Sequence, residues 1–486
     1  MKKLRDILYG VQIESIQGSP MQTIDKIVFD SRKATHKTLF VATKGGEFDG
    51  HNFINNAIDN GAVAVVCEEK PTAALEEIVW IKTQNSRAAL AILASNFYDR
   101  PSSKLNLVGV TGTNGKTTIA SLLHTLFSQM GYAAGLLSTI AVKYGAVEHA
   151  ASHTTPDAIQ INENLHKMVL SGIEYCFMEV SSHGIDQERI QGLDFRGGVF
   201  TNLTQDHIDY HQTFAAYRDV KKRFFDMLPT SAFALANVDD KNGRYMLQNT
   251  AAKQYFYGVK NYANFQAKIM EMSFNGMQIK IDHHEIWSPL VGRFNASNLL
   301  AVYAVSQLIK MPQEEVLSIL SRLKNVKGRF QTYTTPNKAT VVVDYAHTPD
   351  ALENVLTTID QIRTRNERLI TLVGCGGERD IEKRPLMAKA AAIYSDKVIF
   401  TADNPRKEDP ELIIDQMEKG VPPEHYKKTL RIVNRKDAIK AACMDLVQGD
   451  VLLVAGKGHE NYQEINGVKT PFDDFNLVKT ICEQLF

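Results

Sequence analysis

Cysteine is scarce in this chain, and where it occurs it stands alone. Cys67, Cys176, Cys375, Cys443 and Cys482 are far apart, odd in number and never form a C-x-x-C pair. That spacing argues against a disulfide framework or a thiolate zinc ribbon and reads as small buried hydrophobes in a reducing compartment. Long apolar runs are missing too. No stretch of about 18 apolar residues occurs, so no segment is expected to span a bilayer. The start, Met1-Lys2-Lys3-Leu4-Arg5-Asp6, meets charge before an apolar core develops, which argues against a signal peptide. A cytoplasmic protein without membrane insertion is expected. Neither sign of charge prevails: basic and acidic residues number 55 each, so no chain-wide field attracts nucleic acid or anionic lipid. Internal repeats and low-complexity tracts are also lacking.

What is present is an ordinary hydrophobic share, 44% of 486 residues. The length accommodates roughly three domains. The most informative stretch runs from Leu105 to Met130. Leu105 to Val110 reads as a buried strand, and Ile119, Leu122, Leu123, Leu126 and Phe127 recur at helical spacing until Gly131 caps the end. Between them lies Gly112-Thr113-Asn114-Gly115-Lys116-Thr117-Thr118. Strand, glycine loop and helix form a phosphate cradle, because backbone N–H groups and the helix N-terminus both favour an anion. Lys116 is placed to neutralise β/γ oxygens and the Thr117 hydroxyl to bind Mg²⁺. The loop departs from G-x-x-x-x-G-K-[ST] at the first glycine, where Val110 stands between Gly109 and Gly112.

Several other loops follow short apolar runs, as ligand loops do in α/β proteins. Asp30-Ser31-Arg32 follows Ile27 to Phe29, although taken alone it reads as a turn. Asp99 to Ser103 reads as a linker. Glu179 leaves a strand beside the phosphate loop; it suits Mg²⁺ and reads equally as a strand-end charge. His207 and His211 stand four apart, but the glutamate of H-E-x-x-H is absent and no cysteine is near, which disfavours zinc. Lys221, Lys222 and Arg223 read as a solvated charged face. From about residue 333 the alternation restarts. Strands at 340–343, 369–373, 397–401 and 451–454 each lead into a polar or glycine-bearing loop, which predicts one edge of a parallel sheet.

Together, TGTNGKTT, EVSSHGID, LTQDHIDYH, GRFNASN, DYAHTPDAL, GCGGERD and GKGHE resemble the Mur ligase family, in its order along nearly the whole chain. That family uses TGTNGKT, which accounts for the shifted glycine. The resemblance implies an α/β chain of three domains: an N-terminal UDP-sugar domain (1–100), a central P-loop ATPase domain (101–331) and a Rossmann-like amino-acid-binding domain (332–486). DSR and DNPR point to the branch that adds meso-2,6-diaminopimelate to UDP-N-acetylmuramoyl-L-alanyl-D-glutamate, an ADP-forming step of peptidoglycan and cell-wall synthesis. The alternatives are a lysine-adding ligase of the same family and a regulatory nucleotide-binding protein.

By the same resemblance, Phe29, Ser31, Gly46, Glu47 and Phe48 contact the nucleotide-sugar, and His153, Thr154, Thr155, Ser181, Gln187 and Arg189 hold its sugar-peptide portion. Gly112 to Thr118 bind ATP phosphates, with Asn298, Arg329 and Asp344 also on ATP. Lys116, Glu179, His207 and Lys221 form the catalytic set. Thr117, Glu179, His207 and Lys221, the last as a carbamate formed with CO₂, are the Mg²⁺ positions. Arg379, Asp403, Asn404, Pro405, Arg406, Gly456 and Glu460 receive diaminopimelate. Arg406 can bind the distal carboxylate in a fork, and lysine, lacking that group, leaves the guanidinium unpaired. The partners implied are these small molecules alone, with the protein acting as a monomer.

Overall fold

The computed structural model describes residues 1–45, 49–71, 75–151 and 153–486. The chain is built around three sheets. The first has the order Ser15–Gln17, Val79–Lys82, Ala62–Cys67, Thr38–Val41, Lys26–Val28, and all but its first strand run parallel.

The second sheet has eleven strands. Its middle is parallel, in the order Ala134–Leu137, Tyr175–Glu179, Asn106–Thr111, Gly197–Phe200, Phe233–Asn237, Lys253–Gly258. These strands are apolar on both faces because helices cover both. Val108 and Val110 pack with Leu122, Leu126 and Leu299 on one side. Leu107, Met178 and Phe200 pack with Leu165 and Phe224 on the other. Gly109 faces the second side, where a Cβ would come within 2.6 Å of the Phe224 ring. The central strand Asn106–Thr111 connects toward one edge and its neighbour Gly197–Phe200 toward the other. A crevice therefore opens beyond their carboxyl ends, the usual ligand position in such sheets.

The third sheet runs Gln331–Thr334, Thr340–Asp344, Val451–Ala455, Leu369–Val373, Lys397–Phe400, Thr429–Arg431, parallel after its first strand. All four strands expected from the sequence lie in it, side by side. The second and third sheets meet across a tight seam. A Cβ on Gly328 (φ +66°) would fall 2.1 Å from the His459 nitrogen, so only glycine allows this approach. No helix among the described residues is long and apolar enough to cross a membrane.

Candidate active site

The seam holds a cleft of about 790 Å³ lined by loops of the second and third sheets. Register brings its first half together. Val110 is level with Glu179, and Thr111 with Phe200, so the glycine loop sits between Glu179 and Thr201-Asn202. Gly112 has φ +145°, and a Cβ there would lie 1.9 Å from the Thr201 hydroxyl. Thr113 N–H donates to Asn202 O at 2.8 Å and Asn114 N–H to Asn202 Oδ1 at 2.9 Å. These bonds fix the loop ahead of the helix Lys116–Gln129. Lys116 Nζ folds back onto the carbonyls of Gly112 (2.9 Å) and Thr113 (2.7 Å), and burial lowers its pKa.

Glu179 is fully buried. Its carboxylate accepts from the Thr117 hydroxyl at 3.0 Å, the Thr139 N–H at 2.8 Å and the Thr139 hydroxyl at 3.2 Å. Hydroxyl and carboxylate oxygens held this close suit a hard cation such as Mg²⁺. His207, in the left-handed region at φ +54°, places Nε2 3.4 Å from Asp206 Oδ2, and its ring stands edge-on to His183 at 4.8 Å. An imidazole is a less natural magnesium ligand. Among the described residues, no group of three or more His, Cys, Asp or Glu side chains is arranged to hold a metal ion.

Lys221 does not belong to a solvated face. The helix Phe214–Asp226 turns Lys222 toward Asp226 (2.7 Å) and Arg223 toward Glu188 and Asp186, but points Lys221 inward at 1% exposure. Its Nζ donates to the Gly112 carbonyl at 2.9 Å, the same oxygen that Lys116 uses. Burial first, and Lys116 second, hold its pKa well below the ordinary lysine value. The depressed pKa thus comes from helix phase and desolvation, not from the adjacent cations in sequence.

The far half of the cleft is built from the third sheet. Arg329 stacks over the Tyr345 ring at 4.4 Å and lies 3.4 Å from the Thr117 hydroxyl, bridging the halves. Burial pushes Asp344 up to about 6. The Asp403-Asn404-Pro405-Arg406 loop is gripped by the segment after Glu460. Gln463 Nε2 donates to Asp403 O (2.8 Å), Glu464 N–H to Asn404 Oδ1 (3.0 Å), and Arg406 pairs backbone bonds with Glu464 O (3.1 Å) and Asn466 N (2.6 Å). These ties hold Arg406 at φ +54°, an unfavourable conformation for arginine. Its guanidinium donates to Gly377 O at 2.7 Å and lies 3.9 Å from the Glu464 carboxylate. Asn404 Nδ2 donates to Glu460 at 2.8 Å. Gly456 (φ +114°) lets the loop pass Asp403, whose Oδ2 would sit 2.4 Å from a Cβ.

A curated diaminopimelate ligase of Cytophaga hutchinsonii, UDP-N-acetylmuramoyl-L-alanyl-D-glutamate--2,6-diaminopimelate ligase by name, is 50% identical over 484 residues, 99% of each chain. The enzyme of that name from Phocaeicola vulgatus is also 50% identical, over 479 residues. The chain belongs to the Mur ligase family. Family models for the Mur ligase catalytic domain, the Mur ligase middle domain and the glutamate ligase domain match residues 23–98, 110–306 and 328–458. A solved structure of a ligase with the same name superposes with TM-score 0.70 at 31% identity, covering 99% of both chains. The three-domain Mur ligase architecture is therefore present.

Within this Mur ligase, the cleft gathers Thr113 to Thr118, Thr154, Glu179, His207, Asn298, Arg329, Asp344, Arg379, Asp403, Asn404, Arg406, Gly456 and Glu460. Lys221 lies behind the loop instead of on the cleft wall. Thr155, Ser181, Gln187 and Arg189 form a separate group behind Glu179. There the Thr155 hydroxyl donates to Glu179 O (2.9 Å), and Arg189 donates to Thr155 O (2.6 Å) and to Gln187. Phe29 is exposed and Ser31 buried near the first sheet, away from the cleft. His153 does not line the cleft. Gly46, Glu47 and Phe48 lie outside the described residues. Sequence reasoning gave no role to Asp206, Tyr345, His347, Asp350 or Lys457. All five stand inside motifs already quoted or at their edges, so position in a motif was the available signal. Asp350 takes an N–H from Asn114 at 3.1 Å across the seam, a contact no spacing reveals.

Proposed function

We propose that this chain is the ATP-dependent ligase that joins meso-2,6-diaminopimelate to the D-glutamate γ-carboxyl of UDP-N-acetylmuramoyl-L-alanyl-D-glutamate in peptidoglycan synthesis. The observation that carries the reading is the shared cleft. A triphosphate-type loop with Thr117 and Glu179 stands at one end, and an arginine–asparagine–carboxylate pocket at the other. Full-length identity of 50% to ligases named for this reaction supports it.

In this reading the D-glutamate γ-carboxylate oxygen attacks the γ-phosphorus in line, and ADP leaves with the cleaved bond's electrons, giving an acyl phosphate. The deprotonated diaminopimelate amine then attacks the acyl carbon, and the carbon–oxygen bond to phosphate breaks to leave the amide. Gly112 to Thr118 cradle the phosphates, Lys116 spreads the charge that develops on them, and Asn298, Arg329 and Asp344 hold the rest of the nucleotide. Thr117 and Glu179, with His207 and the Lys221 carbamate, would hold Mg²⁺, which would neutralise phosphate charge.

Lys221 acts as a carbamate: its neutral amine adds CO₂ and releases a proton, turning an uncharged donor into an anion. Phe29 and Ser31, with Gly46 to Phe48, take the uridine end of the nucleotide-sugar. His153, Thr154, Thr155, Ser181, Gln187 and Arg189 take its peptide portion. Asp403, Asn404, Arg406, Gly456 and Glu460, with Arg379 and Pro405, take the distal end of diaminopimelate. Domain limits near 100 and 331 divide these tasks. Three substrates delivered by three lobes imply closure that excludes water from the acyl phosphate. The protein acts as a cytoplasmic monomer, where its five free cysteines stay reduced.

The test mixes pure protein, ATP, Mg²⁺ and the UDP-muramoyl dipeptide with each amino acid separately, and reads product mass. Amide is expected with diaminopimelate and at least about 100-fold less with lysine. Equal or faster turnover of lysine overturns the acceptor assignment. ADP release independent of any amino acid overturns the ligase reading in favour of a regulatory ATPase.

A further inference from the structure

Lys457 is fully buried and has no part in the chemistry above. It follows the strand Val451–Ala455 and points into the same pocket wall as Asn404 and Glu460. Its Nζ donates to Asn404 Oδ1 at 2.9 Å and to Glu460 Oε2 at 3.0 Å, and it lies 5.5 Å from the centre of the Tyr462 ring. Asn404 Oδ1 also accepts the Glu464 backbone N–H at 3.0 Å. An ammonium and a peptide N–H can only donate, so both must face the amide oxygen, and the amide cannot be flipped. One Nδ2 hydrogen goes to Glu460 Oε2 at 2.8 Å. The only capacity left to Asn404 is a second N–H donor. The charges follow the same logic: Lys457 pairs with Glu460 and Arg406 lies 3.9 Å from Glu464, so among the described residues Asp403 is left as the carboxylate of this wall with no cation in contact.

We infer that Lys457 is a positioning residue for the acceptor amino acid, neutralising Glu460, locking Asn404 as a donor and leaving Asp403 as the unpaired carboxylate of the wall that holds Arg406. A donor and an arginine next to one uncompensated carboxylate match a carboxylate and an ammonium on one carbon, the distal end of a diamino diacid. The inference rests on the reading that the 403–406 loop receives the incoming amino acid.

The test compares wild type, Lys457→Met and Lys457→Gln, all as full chains, in the amide-forming assay with diaminopimelate as the acceptor. Glutamine keeps an N–H donor without the charge. KM for diaminopimelate is expected to rise roughly 30-fold in Lys457→Met and roughly 5-fold in Lys457→Gln. KM for ATP should stay within about twofold, and kcat at saturating acceptor should fall far less than KM rises. Diaminopimelate KM within twofold of wild type in both variants overturns the inference. So does a parallel loss in ATP KM, since that is what general damage to the fold produces. If Lys457→Met does not fold, the glutamine variant alone decides by the same criteria. Wild type that makes no amide from diaminopimelate overturns the functional reading itself, and the inference with it, a pattern distinct from active wild type with unaffected variants.

Discussion

Lys221 and Lys457 are both shut away from water, at 1% and 0% exposure, and they are buried by opposite means. Among the described residues Lys221 has no carboxylate in direct contact: its partners are the Gly112 carbonyl, the Tyr217 ring at 4.8 Å and, by repulsion, Lys116, with Asp206 acting on it only from a distance. Lys457 meets Glu460 at 3.0 Å and the asparagine oxygen. A desolvated amine without an anion in contact is driven toward its neutral, nucleophilic form. One paired with a half-buried carboxylate becomes a structural strut whose removal strands its partner. On the proposed reading the same residue type supplies reactivity behind the phosphate loop and geometry at the far wall of the cleft.

The strongest way to break this comparison is Lys221→Met. Methionine keeps the buried stem and loses the amine, so the fold should survive while amide formation falls at least about 1,000-fold, roughly 4 kcal/mol of barrier. With ¹³C-bicarbonate, wild type should show a carbamate carbon resonance that the variant lacks. An active variant would remove the distinction between the two lysines. Arg406→Ala comes next in size. It should lower kcat/KM for diaminopimelate about 100-fold, near 3 kcal/mol, with ATP affinity unchanged, because the charge-assisted fork is lost while the phosphate loop is untouched. Equal loss toward both ligands would count against a localised acceptor pocket.

The smallest effect is on stability against acid and concerns the histidines around the cleft. Burial pushes His183 and His347 down to about 4 and His459 to about 3, and His124 in the second sheet's packing falls to about 4. A histidine whose folded pKa lies below its unfolded value of 6.5 stays neutral in the fold while the unfolded chain takes up a proton. Its contribution is therefore full above about 6.5 and is lost as pH falls toward 4. Asp344, raised to about 6, acts in the opposite sense, since the fold keeps its proton more tightly than the unfolded chain. These four, joined by His207 at about 4 and by His211, outnumber the raised carboxyls Asp344, Asp350 and Glu460 and predict a thermal midpoint lower at pH 5 than at pH 7, on the order of 5 °C, by scanning calorimetry. An unchanged midpoint would mean that these imidazoles titrate normally.

Much of the first half of the cleft was legible in the chain, because Leu105 to Met130 is a continuous segment whose local geometry makes the loop. Glu179 could be named from a motif, but taken as a residue it stayed ambiguous between a strand-end charge and a magnesium ligand, and the roles of the 403–406 loop came only through the family's pattern. Lys221 could be named only through the family's pattern, since charge clustering along a sequence says nothing about which way a helix turns each side chain. The inward direction was set by the 3.6-residue period against Phe224 and Phe225, which face the core.

By itself the sequence determined the elements and their loops: alternating buried strands and helices, a glycine-bearing turn ahead of Lys116, and polar turns after each later strand. Those outcomes depend on short-range periodicity and turn chemistry, which a linear reading contains. The tertiary structure alone decided that Asn114 would meet Asp350 across a seam, that two lysines would share the Gly112 carbonyl, and that Lys457 would choose which face of Asn404 looks outward. Each of these joins groups far apart in the chain through strand order and desolvation, and neither quantity exists until the sheets have packed.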